Sequence, residues 1–177
     1  MGISITNRQR KARISLARLR RRAAAVLDKL HPPDDSSTGH DIDIAIVCDR
    51  TMRKLNRQFR NIDETTDVLS FPSAPFPAEG FSGQGPDDFN SAQEHNHIGD
   101  VVISIGEALR QAGEDGVSID VAIDRLLVHG VLHLHDFEHD SAGGSSRMRR
   151  KENALLKMLH GVGLPGYAVR GGAARKG

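Results

Sequence analysis

The chain has 177 residues, 38% of them hydrophobic, with nine histidines, one cysteine and a net charge of +1. That length suits one domain with its own core, a lone cysteine excludes an internal disulfide framework and fits a reducing cytoplasm, and no apolar run approaches the roughly 20 residues of a membrane span. The near-zero charge is segregated: residues 1–30 carry nine Lys/Arg against Asp28 alone, residues 147–177 carry eight against Glu152 alone, and the body between them is strongly acidic.

Ile3 and Ile5 alternate as in a short strand. From about Arg10 to Leu30, Leu16, Leu19, Ala23, Val26, Leu27 and Leu30 recur every three or four residues. This spacing predicts an amphipathic helix with arginines outward. Because those arginines lie inside the periodic pattern, the N-terminus lacks the basic-then-apolar order of a secretory signal. Pro32, Pro33 and Gly39 break the helix. "DIDIAIV" (41–47) alternates as a strand, Cys48 is expected to be a small buried residue at its end, and Asp49 is expected to cap a short helix, "TMRKLNRQF".

"TDVLSFP" (66–72) is strand-like and stops at Pro72. Residues 72–97 hold four prolines, three glycines and few aliphatics, the composition of a long flexible loop. A strand over 98–105 and a helix over 106–116, ending near Gly113 or Gly116, come next. Residues 118–135 are apolar on most sides and predict a central buried helix, and 145–161 a last amphipathic one. The expected architecture is a single α+β domain over 1–164 with a mixed sheet of about four strands and helices packed on it, and a disordered tail over 165–177.

"HGVLHLHDFEH" (129–139) concentrates four of the nine histidines. On a helix His129 and His133 project from one face about a turn apart, and a chain that turns back after the helix supplies His139 as a third nitrogen. Three protein ligands with an open position make a catalytic zinc site, where a bound water becomes acidic near neutral pH. The spacing is that of the metzincin peptidases, H-E-x-x-H-x-x-G-x-x-H. Gly130 stands where their general-base Glu would be, and Asp136 where their turn Gly would be. His135 lies about 160° around the helix from the pair and is expected in a supporting or surface position. His95 and His97 fall in the long loop, and His31, His40 and His160 look incidental. Asp100, Asp136, Glu138 and Asp140 are candidates to orient the ligand imidazoles.

Three blocks together resemble the YbeY family. "HGVLHLHDFEHD" is similar to its H-G-x-L-H-L-x-G-Y-D-H, "LNRQFRNIDETTDVLSFP" (55–72) to its L-N-x-x-Y-R-x-x-D-x-x-T-D-V-L-S-F-P, and "IGDVVIS" (98–104) to its L-G-D-I-x-I-S. The resemblance spans about residues 3 to 162. It implies a cytoplasmic, zinc-dependent, single-strand-specific endoribonuclease that acts in rRNA maturation at the 3′ end of the small-subunit rRNA and in ribosome quality control. On that resemblance His129, His133 and His139 bind one zinc ion per chain, and Arg60 is required for RNA cleavage. Phe59 replaces the family Tyr, and Asp136-Phe137-Glu138 replaces Gly-Tyr-Asp. The implied partners are single-stranded rRNA and the ribosomal small subunit, with no membrane and no oligomeric state specified. The basic ends then have a use in holding phosphate, or are solvated helix faces. Two other readings stay open: a zinc metallopeptidase-like hydrolase, favoured by ligand spacing and opposed by Gly130, and a non-catalytic ribosome-associated module in which zinc holds the fold.

Overall fold

The computed structural model describes residues 2–31, 41–73, 97–135 and 144–161. Most of the expected loop, the expected tail, and His40, His95, Asp136, Glu138, His139 and Asp140 lie outside these residues. In chain order the described elements are β1 (Ile3–Asn7), α1 (Leu16–Leu30), β2 (Asp41–Val47), α2 (Asp49–Arg60), β3 (Val68–Pro72), β4 (His97–Ser104), α3 (Ile105–Asp115), α4 (Ile119–Leu134) and α5 (Gly144–His160). The four strands form one mixed sheet in the order β1-β2-β4-β3, with β1, β2 and β4 parallel and β3 antiparallel to β4. The α+β expectation holds.

Strand alternation divides the apolar residues between two cores. Ile42, Ile44, Ile46, Val101 and Ile103 face the larger one, which α1, α3, α4 and α5 close. Val47, Leu69 and Val102 face the smaller one, closed by Met52 and Leu55 of α2. Helix α4 is buried along nearly its whole length, as its sequence requires. No described helix is long and apolar enough to cross a membrane.

Several local expectations change. Helix α1 begins at Leu16, not near Arg10, because the Ser15 hydroxyl caps it, accepting from the Arg18 amide at 3.3 Å. The Gln9 side chain bonds both the amide and the carbonyl of Ala12 and holds that stretch outside the helix. Asp49 is not the cap of α2 but its first residue. Cys48 occupies the cap position, half-exposed rather than buried and without a side-chain capping bond. The Asp49 carboxylate instead accepts from the Ser104 hydroxyl at 2.8 Å and from Arg110 at 3.3 Å. Burial pushes this carboxyl up, but those two partners, together with Lys11 at 3.5 Å, outweigh it and hold it below its ordinary value. His97 opens strand β4 and so does not belong to the loop.

Candidate metal centre

Helical periodicity brings His129 and His133 together at the C-terminal end of α4. Their Nε2 atoms are 3.0 Å apart and their rings meet edge-on, with centroids at 4.5 Å. His129 is buried and His133 half-buried, so the pair opens outward through His133. On the other side of the His129 ring, Nδ1 lies 2.5 Å from Oε1 of Glu152, which is itself buried on α5. An ionised carboxylate can only accept, so Nδ1 donates its N–H to Glu152, and Nε2 is the ring nitrogen that faces His133. Two nitrogens bound to one tetrahedral zinc at their usual distances sit roughly 3.3 Å apart. The pair and its carboxylate support therefore fit such an ion, with His139 outside the described residues.

Glu152 is not among the supporting carboxylates expected from the sequence, yet a signal for it was there. It is the sole acid of the basic C-terminal stretch and falls in phase with Met148, Leu155, Leu156 and Leu159, all buried. An acid on the apolar stripe of a helix needs a buried partner. Asp100, by contrast, lies on the sheet and pairs with His97 at 3.3 Å.

Gly130 has a packing reason. One residue past His129 the helix has rotated about 100°, and this position faces the sheet. A Cβ there would lie 2.7 Å from Cγ1 of Val101, 3.1 Å from Cγ2 of Val68 and 3.2 Å from the Ser70 hydroxyl. A glutamate at 130 would meet the sheet and not the histidines, which removes the base that a metzincin-like peptidase needs. For Gly130→Ala, better helix propensity returns about 1 kcal/mol, against roughly 1–3 kcal/mol for overpacking. A lowered urea midpoint is expected, and an unchanged or raised one would contradict this packing account.

Within the second sequence block several polar residues hold the scaffold. Asn56, buried, donates to the Glu64 carbonyl at 2.9 Å, and the Asp67 carboxylate accepts from the Val68 amide and from Gln111, both at 2.9 Å. The Ser70 hydroxyl donates to the carbonyl of Gly130, in the histidine-bearing turn, at 2.9 Å. Arg60 differs. It is the last residue of α2, exposed, and without an ion-pair partner among the described residues, whereas Arg53 on the same helix is tied to Asp63. Next to it Phe59 is 57% exposed, edge-on to Phe71 at 4.9 Å. Strand β3 thus joins the two regions through consecutive residues, Ser70 bonded to α4 and Phe71 stacked at the end of α2.

His31 and His160, expected to be incidental, both have partners, and so does His135. His135 ends α4, donates Nδ1–H to the Val131 carbonyl at 2.8 Å and meets His31, at the end of α1, through a close Nε2 contact. His160 lies 3.1 Å from the buried carboxylate of Asp124. A separate group of metal-ligating side chains, Asp43, His97 and Asp100, sits on the sheet, with one ligand atom of each within 4.8 Å of the others.

A mixed four-stranded sheet carrying a buried helix that ends in two facing imidazoles, one of them held by a buried carboxylate, defines the class: α+β proteins with a helix-borne histidine centre. Residues 4–160 match the model of the family described as Endoribonuclease YbeY. The chain is 38% identical over 176 residues to an Endoribonuclease YbeY of Anaeromyxobacter sp. (strain Fw109-5), covering 99% of this chain and 80% of the relative. It is 35% identical over 166 residues to one of Geobacter metallireducens, covering 93% and 99%. The solution structure of TM1509 from Thermotoga maritima shares the fold with a TM-score of 0.55 at 19% identity, over 90% of this chain and 89% of that one. The chain belongs to the YbeY family.

Proposed function

We propose that this protein is a zinc-dependent endoribonuclease that cuts single-stranded RNA, with small-subunit rRNA near its 3′ end as substrate, in cytoplasmic ribosome maturation and quality control. The observation that carries the reading is the His129–His133 pair backed by Glu152, in a chain whose relatives are named as endoribonucleases. His129, His133 and His139 would hold the metal. When bound, zinc supplies a fixed positive charge and an acidified water in the position left open. Cleaving a phosphodiester builds negative charge on the phosphorus oxygens, and preorganised cations stabilise it. Among this chain's own residues Arg60 suits that task, because its planar fork matches two phosphate oxygens and no carboxylate among the described residues pairs with it. Phe59 offers a ring for base stacking beside it.

The surroundings favour a polyanion. Helices α1 and α5 pack on each other and on α4, and they expose Arg20, Arg21, Arg147, Arg149 and Arg150. RNA affinity is accordingly expected to fall steeply with salt. The deciding experiment pairs metal quantitation with cleavage of single-stranded rRNA. Zinc-loaded wild type should cut, and Arg60→Ala should keep its zinc and lose cutting. If the wild type leaves RNA intact but degrades an unfolded protein in a chelator-sensitive way, the peptidase reading replaces this one. If it does neither, and chelation lowers only the melting temperature, the ion serves the fold.

A further inference from the structure

A second metal-ligating group lies on the other face of the sheet. In a regular strand, residues three apart point to opposite faces. His97 and Asp100 nonetheless meet at 3.3 Å, because β4 slips register against β2: Asp41 pairs with His97 and Ile42 with Gly99, leaving Ile98 as the extra residue. Such bulges re-aim side chains. Gly99 makes this one feasible, with φ at +141° and a position where a Cβ would lie 2.3 Å from the Phe71 carbonyl oxygen.

The bulge brings the His97 imidazole to the carboxylates of Asp100 and Asp43, which are direct partners across the β2–β4 pair. Like charges directly opposite each other on a sheet are destabilising. The chain has 24 Lys and Arg residues, yet among the described ones none pairs with Asp43 or Asp100. Ser4 joins the same row, as the β1 partner of Asp43. An open hollow of about 440 Å³, lined by Gly2, Ile3, Ser4, Asp41, Asp43 and His97, gives a hydrated ion access.

We infer that Asp43, His97 and Asp100 form a second divalent-cation site, distinct from the histidine centre and of the oxygen-rich, single-imidazole kind that Mn²⁺ accepts. The three ligand atoms are near enough for side-chain rotation to bring them onto one ion, with water completing its shell. The sheet separates this site from α4, since Ile42, Ile44, Val101 and Ile103 fill the opposite face. The cation neutralises the cross-strand carboxylate pair and fastens β4 to β2 where the chain enters the sheet. The inference does not depend on RNA cleavage.

The test counts ions on the full chain with zinc already bound. Titration with Mn²⁺, followed by electron paramagnetic resonance of the free ion, should find one further ion per chain. Asp43→Asn and His97→Ala should each weaken it at least about tenfold, while His129→Ala retains it. In the wild type the same ion should selectively broaden the amide resonances around His97 and Asp100, a readout that needs no variant. Absence of Mn²⁺ binding beyond the zinc, equal binding in Asp43→Asn, or broadening elsewhere would overturn the inference.

Discussion

His133→Ala is expected to lose stoichiometric zinc and RNA cutting together, while Glu152→Gln keeps both in weakened form. His133 contributes a nitrogen directly, so its removal leaves too few ligands to close a zinc site. Glu152 acts through His129. Its carboxylate at 2.5 Å holds the Nδ1 proton and with it the ring's orientation. Supporting partners of this kind are worth roughly 10–100-fold in metal affinity, and glutamine preserves shape while giving up charge. Competition with a zinc-binding dye would rank the three proteins as wild type, Glu152→Gln and His133→Ala in falling affinity. Wild-type affinity in Glu152→Gln would show that the carboxylate merely fills space. Unchanged zinc content in His133→Ala would place the ion elsewhere.

Asp124→Ala is expected to cost the fold about 3–5 kcal/mol, the usual penalty for removing one partner of a buried ion pair. This carboxylate is wholly buried in α4. It accepts from Arg18 of α1 at 2.6 and 3.4 Å, lies 3.6 Å from Nε of Arg22 and 3.1 Å from His160 of α5, and so joins three helices at one point. Burial pushes its carboxyl up against the pull of Arg18, His160 and Arg22, and burial also pushes the His160 imidazole down. Among the described residues, alanine would leave Arg18 with Asp120 alone as its carboxylate partner, at 3.3 Å, and would take from Arg22 and His160 the carboxylate they share. Because those groups keep some contact with water, the loss should fall toward the lower end of the range. That is still a large share of a typical domain's roughly 5–15 kcal/mol. Urea unfolding decides: a loss below about 1 kcal/mol would mean that water replaces the carboxylate with little penalty.

The basic character of α1 had two readings, solvated face or polyanion contact, and the structure divides its arginines between roles. Arg18 and Arg22 turn inward to Asp124, while Arg20 and Arg21 remain exposed. Only the exposed ones, with those of α5, are available to RNA. Net charge by itself could not separate them, because the partner acid lies more than 100 residues away.

What the sequence determined by itself is everything governed by local period. The alternation in "DIDIAIV" marked β2 with its observed bounds, and the uninterrupted apolar pattern marked α4 as the central buried helix. The four-residue interval sufficed to bring His129 and His133 onto one face, since helix geometry settles that distance without help from the rest of the chain. Tertiary structure decided whatever depends on which elements meet. Glu152 reaches His129 only because α5 packs on α4, and His31 meets His135 only because α1 and α4 end side by side. Gly130 stood out in the sequence as a missing base, and only the closeness of β3 and β4 explains it as a position with no room for a side chain. His97 and Asp100 are three apart in a strand, a spacing that assigns them to opposite faces. A single extra residue in the pairing reverses that, because strand side chains have a period of two and any one-residue slip changes the face.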